Sequence, residues 1–254
     1  ECDSREVWEG KFRPILQDRG PSVSLEAAMH AYGVARRQGK WCHFTGLETF
    51  ELLRRMIGDE TAMMAMLEDP EWFSDMSALL TDRVLSDFDY LLANGIEPDG
   101  VWVYGDMAYR SGVLCGPPLY RQMVWPDHKR MADWAHRRGL PFIFHTDGDV
   151  NAIIEDYISA GFDCLQPLEA KAGMDVRQLC PQYGDRMAFF GNCDVMVYAT
   201  GDRDRIEEEI RTKLEAGKAT KGYVYHSDHS VPPSVSWETY RFVIDCVDRY
   251  GNYD

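Results

Sequence analysis

GLPFIFHTDGDVNAIIEDYISAGFDCLQPLEAKAGMDVRQLCPQYGDRMAFFGNCD, residues 139–194, is the stretch that decides the fold. Three short apolar, β-favouring runs lie in it: Phe142-Ile-Phe144, Cys164-Leu165 and Ala188-Phe-Phe190. Helical stretches over 150–160 and 174–183 separate them. Strands that alternate with helices pair in parallel, because each return to the sheet needs a crossover.

The same beat continues on both sides. Upstream, Val101-Trp-Val-Tyr104 reads as a strand and about 118–138 as a helix; downstream come a helix over 203–219, a strand at Tyr223-Val-Tyr225 and a helix over 236–250. Gly139, Gly161, Gly184 and Gly251 fall just after helices, where a left-handed residue is wanted. Trp41-Cys-His-Phe44 adds an earlier strand, which makes six. A closed (β/α)8 barrel of the TIM type needs eight. No GxGxxG follows an early strand, which counts against a doubly wound sheet. The expectation is an α/β fold of the TIM-barrel type with one or two N-terminal strands missing from this chain. Residues 1–95 read as mostly helical (24–38, 47–57 and 70–94), with Met63, Met64 and Met66 as core filler. Residues 96–254 carry the strand–helix repeats, in one domain overall.

Composition narrows the function. The 254 residues are 45% hydrophobic, enough for a substantial core. No apolar run is long enough to span a bilayer, so no membrane role is expected. A formal charge of −15 argues against nucleic acid as a partner, since phosphate binding needs clustered Lys and Arg. Seven cysteines are scattered with no CxxC pair, which points to neither a disulfide scaffold nor a zinc ribbon and fits a reducing, cytoplasmic setting.

In a parallel barrel the chemistry sits at the C-terminal ends of the strands. The polar residues there are Asp106, Tyr109 and Arg110; His145, Asp147 and Asp149; Gln166 and Glu169; Asn192, Cys193 and Asp194; and His226, Asp228 and His229. Two readings of His145-x-Asp147 and His226-x-Asp228-His229 stay open. Imidazole and carboxylate from separate strands can converge on a metal or an acid–base site. Alternatively they cap helices and satisfy loop backbone, as Asp149 does ahead of an apolar helical run. Arg110 has the geometry to hold a carboxylate or to make a rim salt bridge.

PFIFHTDGDVNAIIEDYISAGFDCLQPLEAKAGMD, GDRMAFFGNCDV and GYVYHSDHSVPPSVSWETYRFVID resemble the uroporphyrinogen decarboxylase superfamily, and within it the cobalamin-dependent methyltransferases acting on methanol, methylamines, chloromethane and aryl methyl ethers. The resemblance runs from about residue 40 to the C-terminus. It implies a barrel, zinc, and a corrinoid supplied by a partner protein that accepts a methyl group from a small methylated substrate. In that branch zinc is held by a His-x-Cys pair, a later Cys and a Glu. His145 matches the family His, Asp147 stands in place of the first Cys, Glu169 matches the Glu, and His229 stands at or beside the second Cys, with His226 and Asp228 as alternates. Such a set is harder than a thiolate site and suits polarising an ether or hydroxyl oxygen. The resemblance places Asp106 in the substrate pocket, for orientation or proton transfer, with catalysis resting on Asp106, His145 and His229. Tyr109, Arg110 and Asn192 are candidate substrate contacts. A decarboxylase-like activity and a non-catalytic barrel that binds a small molecule or a corrinoid partner are the competing expectations.

Overall fold

The computed structural model describes residues 2–220 and 222–253. It contains the strands β1 (His43–Leu47), β2 (Gly100–Tyr104), β3 (Ala108–Tyr109), β4 (Gly112–Val113), β5 (Phe142–Thr146), β6 (Cys164–Pro167), β7 (Ala188–Phe190) and β8 (Tyr223–Val224). Six of them form one sheet in the order β1-β2-β5-β6-β7-β8, and β3 pairs antiparallel with β4 as a small hairpin. β1 pairs β2 in parallel, with His43 opposite Gly100 and Leu47 opposite Tyr104; β6 with β7 and β7 with β8 are parallel too. Once the hairpin is set aside, sheet order follows chain order. Barrel strands do this, whereas a doubly wound sheet reverses at a switch point. The fold is therefore α/β of the TIM-barrel type, with six strands in the sheet among the described residues.

The chain divides into two compact units, and the division runs through β5. The first unit takes residues 1–105, 115–143 and 159–161. Its core is aromatic: Phe88 stacks on Phe44 at 5.2 Å and meets Trp134 at 5.5 Å, all three buried. The long helix Pro70–Ala93 starts where Asp69 accepts from the Trp72 amide and Pro70 gives up no needed N–H. Met66 is core, as expected, but Met64 is 44% exposed. Glu48, wholly buried, accepts from the amides of Phe50 and Glu51 and so starts the helix Thr49–Ile57. His128 Nε2 lies 3.3 Å from Glu48, and its Nδ1 meets the Tyr120 hydroxyl at 2.8 Å.

Two expectations need correction here. The single helix over 118–138 is two, Pro117–Met123 and Trp125–His136, broken at Val124 because Pro126 lacks an N–H and restricts what precedes it. β1 begins at His43 rather than Trp41, since the Cys42 amide donates to the Asp99 carboxylate instead of to a strand. The hairpin β3–β4 lies where the sequence showed no strand.

The second unit takes residues 106–114, 144–158 and 162–254. Phe144, Tyr157 and Phe162 pack ring against ring at 4.8–5.4 Å in its core. Its helices start on side-chain caps: Asp175 for Val176–Tyr183, Asp202 for Arg203–Lys218 and Ser236 for Trp237–Tyr250. The helix expected from Val150 opens as a tight turn, Asn151–Ile153, before Ile154–Ala160. Gly139 and Gly161 have the positive φ expected after a helix, but Gly184 and Gly251 do not (φ −68° and −86°). Those two are glycine for lack of room: a Cβ at Gly184 would stand 2.6 Å from Thr220, and one at Gly251 2.6 Å from the Val247 carbonyl oxygen. Among the described residues no helix is long and apolar enough to cross a membrane.

Candidate active site

Every residue singled out at a strand end beyond β2 belongs to the second unit, where the loops are stitched to one another. Thr146, at the end of β5, accepts from the Met107 amide at 2.9 Å, and the Asp147 amide donates to Asp106 at 3.1 Å. Gly148 follows with φ +86°, and a Cβ there would come within 2.6 Å of the Ala108 carbonyl. A glycine is required for so close an approach to β3. The Gly148 amide donates to Glu169 at 2.9 Å and the Asp149 amide to the Tyr109 carbonyl at 2.9 Å. Asp149 then caps the next turn through the Asn151 amide, as the sequence suggested.

This stitching brings one imidazole and two carboxylates together. Ligand atoms of Asp106, His145 and Asp147 all lie within 4.8 Å of one another. His145 Nε2 is 3.9 Å from an Asp106 oxygen, and His145 Nδ1 is hydrogen-bonded to the Gln166 side-chain oxygen. Asp147 Oδ1 is buried with no hydrogen-bond partner. Burial pushes the Asp147 carboxyl up, Asp106 and Glu169 push the same way, and His145 and His229 oppose them. A buried oxygen left unpaired is costly unless a cation or a proton meets it. The donor set thus fits a divalent cation, and its two carboxylates and imidazole make it a hard site rather than a thiolate one.

The other candidate ligands are placed differently. Glu169 lies beside the cluster, but one oxygen accepts from the Gly148 amide and the other pairs with Lys171 at 3.0 Å. Asp228 is buried and ties two loops together, accepting from the Ala170 and Val195 amides, both at 3.0 Å. Burial raises its pKa and those two amides oppose the rise. His226 Nδ1 is bonded to the Ser227 carbonyl. His229 is exposed, and the structure does not bring it into the three-residue cluster. Tyr109, 61% exposed, and Arg110 lie at the turn of the β3–β4 hairpin.

Asn192 corrects an expectation. It is fully buried with φ +76°; its amide donates to the Leu168 and Met174 carbonyls, both at 2.7 Å, and accepts from the Val176 amide at 3.0 Å. It holds the loops after β6 and β7 and has no face left for substrate. Cys193 is likewise sealed: it is fully buried against the Tyr223 hydroxyl, and burial pushes its thiol up to about 11.

Two features escaped the sequence. Gln166 was visible as a polar residue just beyond the Cys164-Leu165 run, with no sign of its partner. Lys213 and Glu209 have the spacing of an ordinary surface pair, one helical turn apart. Lys213 is buried instead and Glu209 partly so, 2.6 Å from each other; Lys213 donates to the Asn192 carbonyl at 2.5 Å and Glu209 accepts from the Asp194 amide at 2.9 Å.

A parallel α/β sheet of consecutive strands with carboxylates and imidazole clustered at strand ends defines a barrel of the enzyme-bearing kind. The uroporphyrinogen decarboxylase (URO-D) family model matches residues 49–250, and the chain belongs to that family. It is 22% identical over 238 residues to the uroporphyrinogen decarboxylase of Pelobacter propionicus, covering 94% of this chain and 63% of that protein. It is 28% identical over 142 residues to the one from Syntrophotalea carbinolica, covering 54% of this chain and 39% of the relative. The chain thus spans less than two thirds of the length of these curated relatives. Among solved structures, a methyltransferase from Methanosarcina mazei superposes with a TM-score of 0.66 at 18% identity, over 82% of this chain and 58% of that one. That likeness shows the shared fold.

Proposed function

We propose that this chain carries the active site of a metal-assisted methyltransferase, which moves a methyl group from a small methylated compound, such as a methyl ether, to a corrinoid carried as co-substrate on a partner protein. The observation that carries the reading is the Asp106–His145–Asp147 cluster with its unpaired buried oxygen. A zinc ion held by these three residues would supply Lewis-acid polarisation of the oxygen from which the methyl group leaves. His145 and Asp147 would hold the ion from the end of β5. Asp106, with a side chain half exposed, reaches the same space from the β3 side and can also take or return a proton at the departing oxygen. Glu169 fixes the β5 loop through the Gly148 amide, and Tyr109 and Arg110 offer an exposed edge for the rest of the substrate.

The names of the curated relatives favour a second reading, decarboxylation of a porphyrinogen. A substrate with many carboxylates wants several cationic groups, whereas the residues gathered here are mainly carboxylates and imidazoles. Single-turnover assays separate the two. Zinc-loaded protein mixed with reduced cobalamin and a panel of methanol, methylamines and aryl methyl ethers should convert Co(I) to methylcobalamin, read from its absorption spectrum. His145→Ala should not. No conversion with any donor, together with carbon dioxide release from uroporphyrinogen, would favour the decarboxylase and defeat the methyl-transfer reading.

A further inference from the structure

We infer that Thr146 is a positioning residue whose hydroxyl sets Asp106 against His145 and Asp147. The inference rests on the reading of those three residues as a metal site and adds the group that holds their two segments in register.

Successive side chains of a strand point to opposite faces, so Thr146, the last residue of β5, faces away from His145. It is 2% exposed, whereas His145 and Asp147 on either side of it are part-exposed. Its hydroxyl accepts from the Met107 amide at 2.9 Å and donates to the Asp147 carbonyl at 3.2 Å. A hydroxyl can do both at once. Met107 is fully buried, so its N–H has no water to turn to if that acceptor is lost.

A second bond runs the other way. The Asp147 amide donates to Asp106 Oδ1 at 3.1 Å. Residues 106–107 and 146–147 thus exchange two hydrogen bonds, each from the backbone of one pair to a side chain of the other. The reciprocity is that of a helix capping box, here used to clasp two segments. Releasing the Met107 amide frees the backbone that carries the Asp106 carboxylate, and releasing that carboxylate frees the backbone beside Thr146.

Asp106 is the group that needs such a hold. Its side chain is half exposed and lies just ahead of β3, in no strand of its own, whereas His145 stands on β5. A group on a loop is placed less precisely than one on a strand unless outer bonds support it. Valine at position 146 would keep the shape and the branching at Cβ but lose both hydroxyl bonds; serine would keep the bonds.

Amide exchange, read by NMR on 15N-labelled metal-free protein, tests the clasp. In wild type the Met107 and Asp147 amides should both be protected. Thr146→Val should release the Met107 amide and, with it, the Asp147 amide, whose own acceptor the substitution leaves in place. Asp147 exchange should quicken roughly 2–10-fold, about the worth of one hydrogen bond. Thr146→Ser should keep both amides protected. Zinc affinity should fall about 10–100-fold in Thr146→Val and return in Thr146→Ser. A hydroxyl that served the fold alone would lower the unfolding temperature and leave Asp147 exchange and zinc affinity unchanged; that result would overturn the inference. Should Thr146→Val fail to fold, Asp106→Ala carries the reciprocal test: it should speed Met107 exchange, and an unchanged Met107 amide would overturn the inference equally. Wild type that binds no zinc would defeat the functional reading alone, and the exchange data would still decide the clasp.

Discussion

Asp147→Asn is expected to unfold at a higher temperature than wild type in metal-free buffer at neutral pH, while binding zinc far more weakly. Both effects follow from one carboxylate. Burial, then Asp106 and Glu169, raise the folded-state pKa of Asp147 against the opposing pull of His145 and His229. A carboxyl with a higher pKa folded than unfolded binds its proton more tightly in the native state. The native state is then penalised as pH rises above the unfolded value of about 3.9, and the full penalty is in place above the folded value. An asparagine keeps the shape and removes the charge, so stability should rise at about pH 7, and the difference should vanish toward about pH 3. In a chain of this size each kcal/mol relieved lifts the midpoint by about 2–4 °C. The zinc loss should exceed the roughly 10–100-fold typical of losing an outer partner, because a first-contact oxygen is removed. Thermal unfolding at the two pH values, with zinc titration beside it, checks both. An Asp147→Asn protein that is less stable at both pH values and still binds zinc would contradict the account.

Lys213→Met should show the largest loss of stability. Lys213 is 2% exposed, donates to the Asn192 carbonyl and pairs with Glu209, which accepts from the Asp194 amide. Removing the cation leaves the partly buried Glu209 carboxylate without its partner and the buried Asn192 carbonyl without its donor. Breaking a buried pair in this way costs about 3–5 kcal/mol, which corresponds to a fall of roughly 6–20 °C in the midpoint. Adding Glu209→Leu removes the stranded charge, so the double variant should lose less than the sum of the single ones. Recovery should be partial, because the Asp194 amide and Asn192 carbonyl still lack partners. Calorimetry of the two single variants and the double variant tests this; a Lys213→Met midpoint within about 2 °C of wild type would contradict the burial of the pair.

These residues mark where the sequence could be read and where it could not. The alternation of apolar runs and helical stretches located all six strands of the sheet, because burial of a parallel strand leaves a mark in residue type. The break at Val124 was missed, since a proline inside helical periodicity shows a restriction but not which side of it yields. His145, Asp147 and Asp106 were legible as strand-end polar groups. Whether a carboxylate still has an oxygen to offer is a matter of its neighbours. Glu169, Asp228 and Asn192 look equivalent to Asp147 in sequence, yet their polar atoms are spent on amides, carbonyls and Lys171. Lys213 and Glu209 have the spacing of a solvated helix pair, and only the packing against the β7 loop shows Lys213 buried and its partner partly so.

On the proposed reading, Asp106, His145 and Asp147 hold a metal ion. Elemental mass spectrometry of protein purified without added metal, then after zinc is offered and the excess removed, measures it most directly, with His145→Ala carried through the same steps. Near-stoichiometric zinc in wild type that is lost in the variant is the predicted result. Wild-type protein that retains no metal after zinc is offered, or zinc retained equally by both proteins, would contradict the assignment of the site.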